Sequence, residues 1–203
     1  MQQDHFTFRH SNKEYVVDTQ QPIDLSLPVN SNEDQLSAFY LPSATFKAFE
    51  AGSYIGDVRR GGSTNCEEVK FCPHGNGTHT ECVGHITKRR IAVDQVIRGR
   101  CSLVPALLIT VSPETISSSG DEYGAAHSDD DKVISSRSVR AAFEQTIVDG
   151  FIPRAIVIRT TPNGEPKRTG KYSGNNPPYL TPATAQYLSK DLNVEHLLLD
   201  LPR

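Results

Sequence analysis

Arg154-Ala155-Ile156-Val157-Ile158-Arg159-Thr160 is the stretch on which the fold turns. Its consecutive β-branched residues suit a pleated strand, and no Gly, Pro or Asp interrupts them. Downstream, Thr181-Pro182 opens a helix, with Thr as cap and Pro at the first helical position. Leu180, Ala183, Tyr187 and Leu188 then share its apolar face. Residues 195–201 follow as a second strand. Strand, helix, strand in that order predicts parallel pairing through a crossover helix.

Working upstream, residues 138–148 place Val139, Ala142, Phe143 and Ile147 at helical spacing, with Ser136 or Ser138 as cap. Residues 105–112 form a nearly continuous apolar run, which reads as a strand buried on both faces. Residues 113–132 read as loop. Their Asp129-Asp130-Asp131 run is read as a solvated surface rather than a cation site. Short strands are expected at 14–18, 23–29 and 65–71. Residues 30–64 read as a long irregular excursion whose aromatics pack on the core or line a pocket. The 161–180 connection is long for a strand-to-helix link. Ligands gather at the carboxyl ends of strands in open α/β sheets. Arg159, Thr160, Asn175, Asn176 and Tyr179 are therefore candidates for a pocket rim, with Asp200 at a second strand end. The elements together predict an α/β fold, a mixed sheet with packed helices, in one domain spanning residues 1–203. There is no internal repeat.

Composition excludes several classes. The chain has 203 residues, 36% hydrophobic and 22% charged, with a formal net charge of −3, ordinary for a globular protein. No basic stripe calls for nucleic acid, and Lys88-Arg89-Arg90 is too short to make one. That triplet reads first as a solvated edge, and second as a contact for an anionic substrate. The apolar run at 103–111 is too short to span a bilayer. The first ten residues lack the apolar core of a secretory signal. A cytoplasmic protein is expected, with Cys66, Cys72, Cys82 and Cys101 as thiols.

The chemistry concentrates in His74-Gly75-Asn76-Gly77-Thr78-His79-Thr80-Glu81-Cys82-Val83-Gly84-His85. Imidazole and carboxylate are the donors that zinc or manganese takes up. If residues 79–85 run as a strand, His79, Glu81 and His85 share one face. His74 has the wrong parity, and a bulge or tight turn at 75–77 would restore it. A structural Cys/His zinc site is disfavoured, because the Cys and His pairs lack the usual spacing. Cys82 would point away from the cluster as a small hydrophobe.

This segment resembles the H-x-G-T-H-x-D-x-P-x-H signature of the cyclase family of metal-dependent hydrolases, the group that includes the bacterial kynurenine formamidases. Gly77-Thr78-His79 matches G-T-H, and His85 matches the last His. Glu81 replaces Asp, Val83 replaces Pro, and His74 lies one residue before the first His of the signature. Pro22-Ile23-Asp24-Leu25-Ser26-Leu27-Pro28 resembles the family's opening D-L-S strand. Residues 155–160 and Asn176-Pro177-Pro178-Tyr179-Leu180-Thr181 resemble its later strand and substrate-side loop.

The resemblance implies a swivelling β/β/α fold, a homo-oligomer and a small-molecule substrate. It implies hydrolysis of an amide, formamide or lactone carbonyl by water activated on a divalent metal, zinc or manganese. His79, Glu81 and His74 are then the metal ligands, and His85 the catalytic acid–base group. In the family another metal-binding His and a Glu follow the strand ending near Asp200. Here the sequence stops at Arg203, and His5, His10, His127 and His196 sit in no matching context. A missing C-terminal portion, a site completed by another subunit, and a metal-poor relative all remain open. The alternative function is a non-catalytic small-molecule binding protein on the same fold.

Overall fold

The computed structural model describes residues 5–31, 34–99 and 103–202. Cys101 and Arg203 therefore lie outside the described residues. The chain begins with an antiparallel hairpin, β1 (His5–His10) and β2 (Lys13–Asp18), in which His5 faces Asp18 and His10 faces Lys13. Tyr15 on β2 packs edge-on to Phe151, with ring centroids 5.8 Å apart. The strand expected at 23–29 is absent: the segment carries no ladder. Two features explain this. Pro22 and Pro28 remove donors, and Asp24 Oδ1 accepts the Ser26 N–H at 2.8 Å, a local bond that competes with pairing.

The predicted excursion at 30–64 does contain regular pieces. They are β3 (Thr45–Ala48), the short pair β4 (Glu50–Ala51) and β5 (Tyr54–Ile55), and a 3-10 turn at Val58–Arg60. β3 pairs antiparallel with β6 (Glu67–Lys70), the strand expected at 65–71. One helical turn, α1 (Pro73–Asn76), a 3-10 turn at Val83–His85 and the short helix α2 (Val93–Ile97) follow.

The second half holds the core. β7 (Ala106–Val111) leads into β8 (Glu114–Thr115), the one-turn helix α3 (Ile116–Ser119) and β9 (Lys132–Ile134). So 113–132 is not wholly loop. Helix α4 (Ser136–Thr146) is capped by Ser135, one residue before the predicted Ser136; the Ser135 hydroxyl accepts the Ser138 N–H at 3.1 Å. Then come β10 (Ala155–Thr160), β11 (Tyr179–Leu180) and α5 (Pro182–Gln186), which runs on into a π-helical turn at Tyr187–Asp191. Thr181 caps α5 as predicted, accepting the Thr184 N–H. β12 (His196–Leu199) ends the order.

β7, β10 and β12 form one parallel sheet with β10 central, the pairing that the strand–helix–strand pattern predicts. A second sheet, β11-β9-β8, is mixed. Leu107, Ile109, Val111, Ile156 and Ile158 pack with Val139, Tyr187 and Leu188 from the helices. Burial of these side chains is the main stabilising term. The prediction that β7 is buried on both faces is corrected: its burial alternates, and Leu108 is 48% exposed. The core helices cover only the Leu107–Ile109–Val111 face. The architecture is mixed α/β with small sheets and few helices. Among the described residues no helix is long and apolar enough to cross a membrane.

The expected pocket rim is spent on clamps. Thr160 donates through its N–H and its hydroxyl to Asp200, both at 2.9 Å, and Lys167 Nζ donates to Asp200 Oδ2 at 2.7 Å. Asn176 donates to Asp131 Oδ1 at 2.7 Å and the Tyr179 hydroxyl to Oδ2 at 3.1 Å. Asp131 is thus a tie between loops rather than solvated surface. Asn175 Nδ2 donates to the Lys171 carbonyl at 2.7 Å, and Arg159 to the Thr110 hydroxyl at 2.7 Å.

Candidate metal centre

The histidine-rich segment is held by backbone close approaches. Gly75 lies so near the 38–41 segment that a Cβ there would stand 2.8 Å from Leu41 Cβ and 3.0 Å from the Ala38 carbonyl oxygen. Its own carbonyl accepts the Ala38 N–H at 3.2 Å. At Gly84 a Cβ would fall 2.0 Å from the Ile91 carbonyl oxygen, so any side chain would force the 84 and 91 backbones apart. The Cys82 thiol donates to that same Ile91 oxygen at 3.2 Å.

Asn76 locks the first turn. It is 2% exposed, its Oδ1 accepts the Cys72 N–H at 2.8 Å, and its Nδ2 donates to the Pro42 carbonyl at 3.0 Å. The Thr78 hydroxyl accepts the Leu27 N–H at 2.9 Å, which ties the unpaired 22–29 segment to the same place. Sequence reasoning passed over Asn76, because an Asn between two glycines reads as ordinary turn chemistry.

His74, His79, Glu81 and His85 come together, although not by strand parity. Residues 79–82 are irregular and 83–85 form a 3-10 turn, so the expected strand is corrected. A one-turn helix at 73–76 supplies the turn that His74 needed. His79 Nε2 stands 2.9 Å from Glu81 Oε1 and 3.1 Å from His74 Nδ1. His74 Nδ1 also contacts Glu81 Oε1, and His85 Nε2 lies 3.9 Å from that oxygen. The His74 and His85 rings are 4.4 Å apart at 30°, close to stacked. Donor atoms of His74, Glu81 and His85 all fall within 4.8 Å of one another.

The donor set is of a kind that could hold a cation. His79 Nδ1–H donates to the Gly77 carbonyl at 2.9 Å, which leaves Nε2 as a bare lone pair in the neutral ring. That lone pair, a carboxylate oxygen and a second imidazole nitrogen converge. Bonds of about 2.0–2.2 Å put neighbouring octahedral ligands about 3.0 Å apart and tetrahedral ligands about 3.4 Å apart. The His79–Glu81 and His79–His74 edges, 2.9 and 3.1 Å, match the shorter figure, and the His74–Glu81 edge is shorter than both figures. With the imidazoles protonated, so that His79 Nε2–H donates to Glu81, partial burial acts to raise the Glu81 carboxyl, but that hydrogen bond and the charges of His85, His74 and His79 outweigh it and hold it below its ordinary value.

Other features compete less well. A cleft of about 540 Å³ is lined by Ile116, Asp121, Tyr123, His127 and Asp129, and none of the four clustered side chains lines it. Its Asp121 carboxylate is already spent on Ser136 and Thr181. Cys66, Cys72 and Cys82 are free thiols. No curated protein and no solved structure matches the chain. The Cyclase family, described as Putative cyclase, matches residues 23–203, from the segment beside Thr78 through the histidine cluster to the last strand, and the chain belongs to that family.

Proposed function

We propose that the chain is a metal-dependent hydrolase of arylformamidase-like type, acting on an amide, formamide or lactone carbonyl in a small molecule. The observation that carries this reading is the convergence of the His79 and His74 nitrogens on Glu81 Oε1. Those three side chains would hold zinc or manganese. When bound, the ion supplies Lewis acidity, lowering the pKa of water toward neutrality and drawing charge from the carbonyl oxygen.

The chain's own residues do the rest. Gly77 fixes the tautomer of a neutral His79 through its carbonyl, so the Nε2 lone pair of that ring faces the site. Glu81 stays ionised to low pH. His85 Nε2, 3.9 Å from Glu81 Oε1, stands farther from that oxygen than the His79 and His74 nitrogens do and is close enough to reach a water between them. His85 takes the proton from the attacking water and returns it to the departing nitrogen or oxygen; a C–O bond forms as the C–N or ester C–O bond breaks. An imidazole suits this near neutral pH. Glu at position 81, in place of the family's Asp, lengthens the ligand arm by one methylene.

The family's swivelling β/β/α architecture, a single domain, a homo-oligomer and a cytoplasmic setting belong with this reading. The test is hydrolysis of formanilide by the full chain after loading with zinc or manganese, and after chelation. The reading expects turnover that chelation abolishes and metal restores. A rate indifferent to chelation would overturn it.

A further inference from the structure

Eight of the eleven described arginines have a carboxylate partner, among them Arg59 with Asp57, Arg60 with Glu50, Arg98 with Asp94, Arg137 with Glu114 and Arg154 with Glu195, and Arg159 donates to the Thr110 hydroxyl instead. Lys88, Arg89 and Arg90 are exposed, and no described carboxylate pairs with them. These three consecutive cations begin three residues after His85. The loop bearing them is not loose. Its feet are pinned where Cys82 and Gly84 meet Ile91, and the Thr87 hydroxyl donates to the Arg89 carbonyl at 2.7 Å. Beside the same feet, Val83 and Ile86 stand 55% and 83% exposed, flanking His85 in sequence.

The tip is cationic, exposed and next to exposed apolar side chains, so its charges are free to meet an anionic partner. Arg in particular recognises carboxylates through its planar fork. We infer that the 86–91 loop is a substrate-recognition element for an anionic acyl compound: Val83 and Ile86 take the apolar body, and Arg89 and Arg90 take a carboxylate carried away from the scissile bond. The inference rests on the hydrolase reading for the bond cleaved, and on the loop alone for the charge recognised. The carboxylate lowers KM without entering the chemistry, so its removal raises KM and leaves kcat in place.

The experiment uses zinc-loaded full chain with two probes sharing one leaving group class, 3-formamidobenzoate and its neutral methyl ester. Arg89→Glu/Arg90→Glu is compared with Lys132→Glu/Lys190→Glu, an equal charge change elsewhere. The loop variant is expected to raise KM for 3-formamidobenzoate at least tenfold, with kcat and the ester's kinetics within twofold of wild type. The control should leave both probes within twofold. Equal changes for charged and neutral probes, or equal changes in both variants, would overturn the inference. A second arm follows benzoate binding by calorimetry and needs no turnover. If wild type hydrolyses neither probe, the hydrolase reading fails while this arm still decides: benzoate bound by wild type and weakened at least fivefold in Arg89→Glu/Arg90→Glu sustains the anion site. No benzoate binding to wild type, or equal binding to both, ends it.

Discussion

Replacing Asn76 with alanine should separate metal affinity from global stability. The side chain is 2% exposed and closes the turn that carries His74, accepting from Cys72 N–H at 2.8 Å and donating to the Pro42 carbonyl at 3.0 Å. The substitution strands both partners. A buried unpaired group costs about 1–3 kcal/mol. Pro42 is exposed and Cys72 only partly buried, so water can reach them, and the expected loss is near the lower end, about 1–2 kcal/mol. The effect on the site should be larger. Groups that orient metal ligands typically contribute about 10–100-fold in affinity, and His74 loses its anchor here. The assay is zinc titration against a competing chelator, alongside urea unfolding. Thr184→Ala is the control: Thr184 is fully buried and its hydroxyl donates to the Ile134 carbonyl at 2.7 Å, so a similar stability loss falls in the other half of the chain. The expected outcome is comparable destabilisation in both, with zinc affinity falling only in Asn76→Ala. Zinc affinity within twofold of wild type in Asn76→Ala would refute the claim that this turn sets the ligand geometry.

His79→Ala should lose bound metal and hydrolysis together; full metal content in that variant would reject it as a ligand. His85→Ala should retain metal, measured by mass spectrometry, and lose turnover by about 100-fold or more; an unchanged rate would remove His85 from the chemistry. Asp121 supplies a pH prediction. Partial burial acts to raise its carboxyl, but hydrogen bonds from Thr181 and Ser136 and the charge of Arg137 prevail and hold it below the usual range. A depressed folded-state value contributes stability above the unfolded value that is lost as pH falls through the folded one. Wild type should therefore lose stability on acidification below the ordinary carboxylate range, and Asp121→Asn should be about 1–2 kcal/mol less stable at neutral pH with a flatter acid limb. Identical acid limbs in urea unfolding would count against this clamp.

Legibility in the sequence followed the range of the forces. β10, β12 and the caps of α5 were readable, because β-branched runs and a Thr-Pro start act locally. The open face of β7 was not, since an apolar run does not say how many layers cover it. The 22–29 segment alternates like a strand yet finds no ladder, as Asp24 turns onto Ser26. Thr160 and Asp200 sit at strand ends and Asn176 in the loop before β11, places where ligand-binding residues are found, but their side chains are taken up by Lys167 and Asp131. The candidate centre was legible in its residue types and not in its geometry. Parity along a strand was the wrong reason for His79, Glu81 and His85 to meet; two short turns bring them together, and the Gly75, Asn76 and Gly84 contacts that place those turns reach to Leu41, Pro42 and the Ile91 backbone.

The most direct test is X-ray absorption at the zinc edge of the loaded protein, which reads the atoms around the ion. Coordination by His74, His79 and Glu81 predicts only nitrogen and oxygen neighbours at about 2.0–2.2 Å, with imidazole outer shells that diminish in His79→Ala. A sulfur neighbour at about 2.3 Å, from Cys72 or Cys82, or a spectrum unchanged by His79→Ala, would contradict the account.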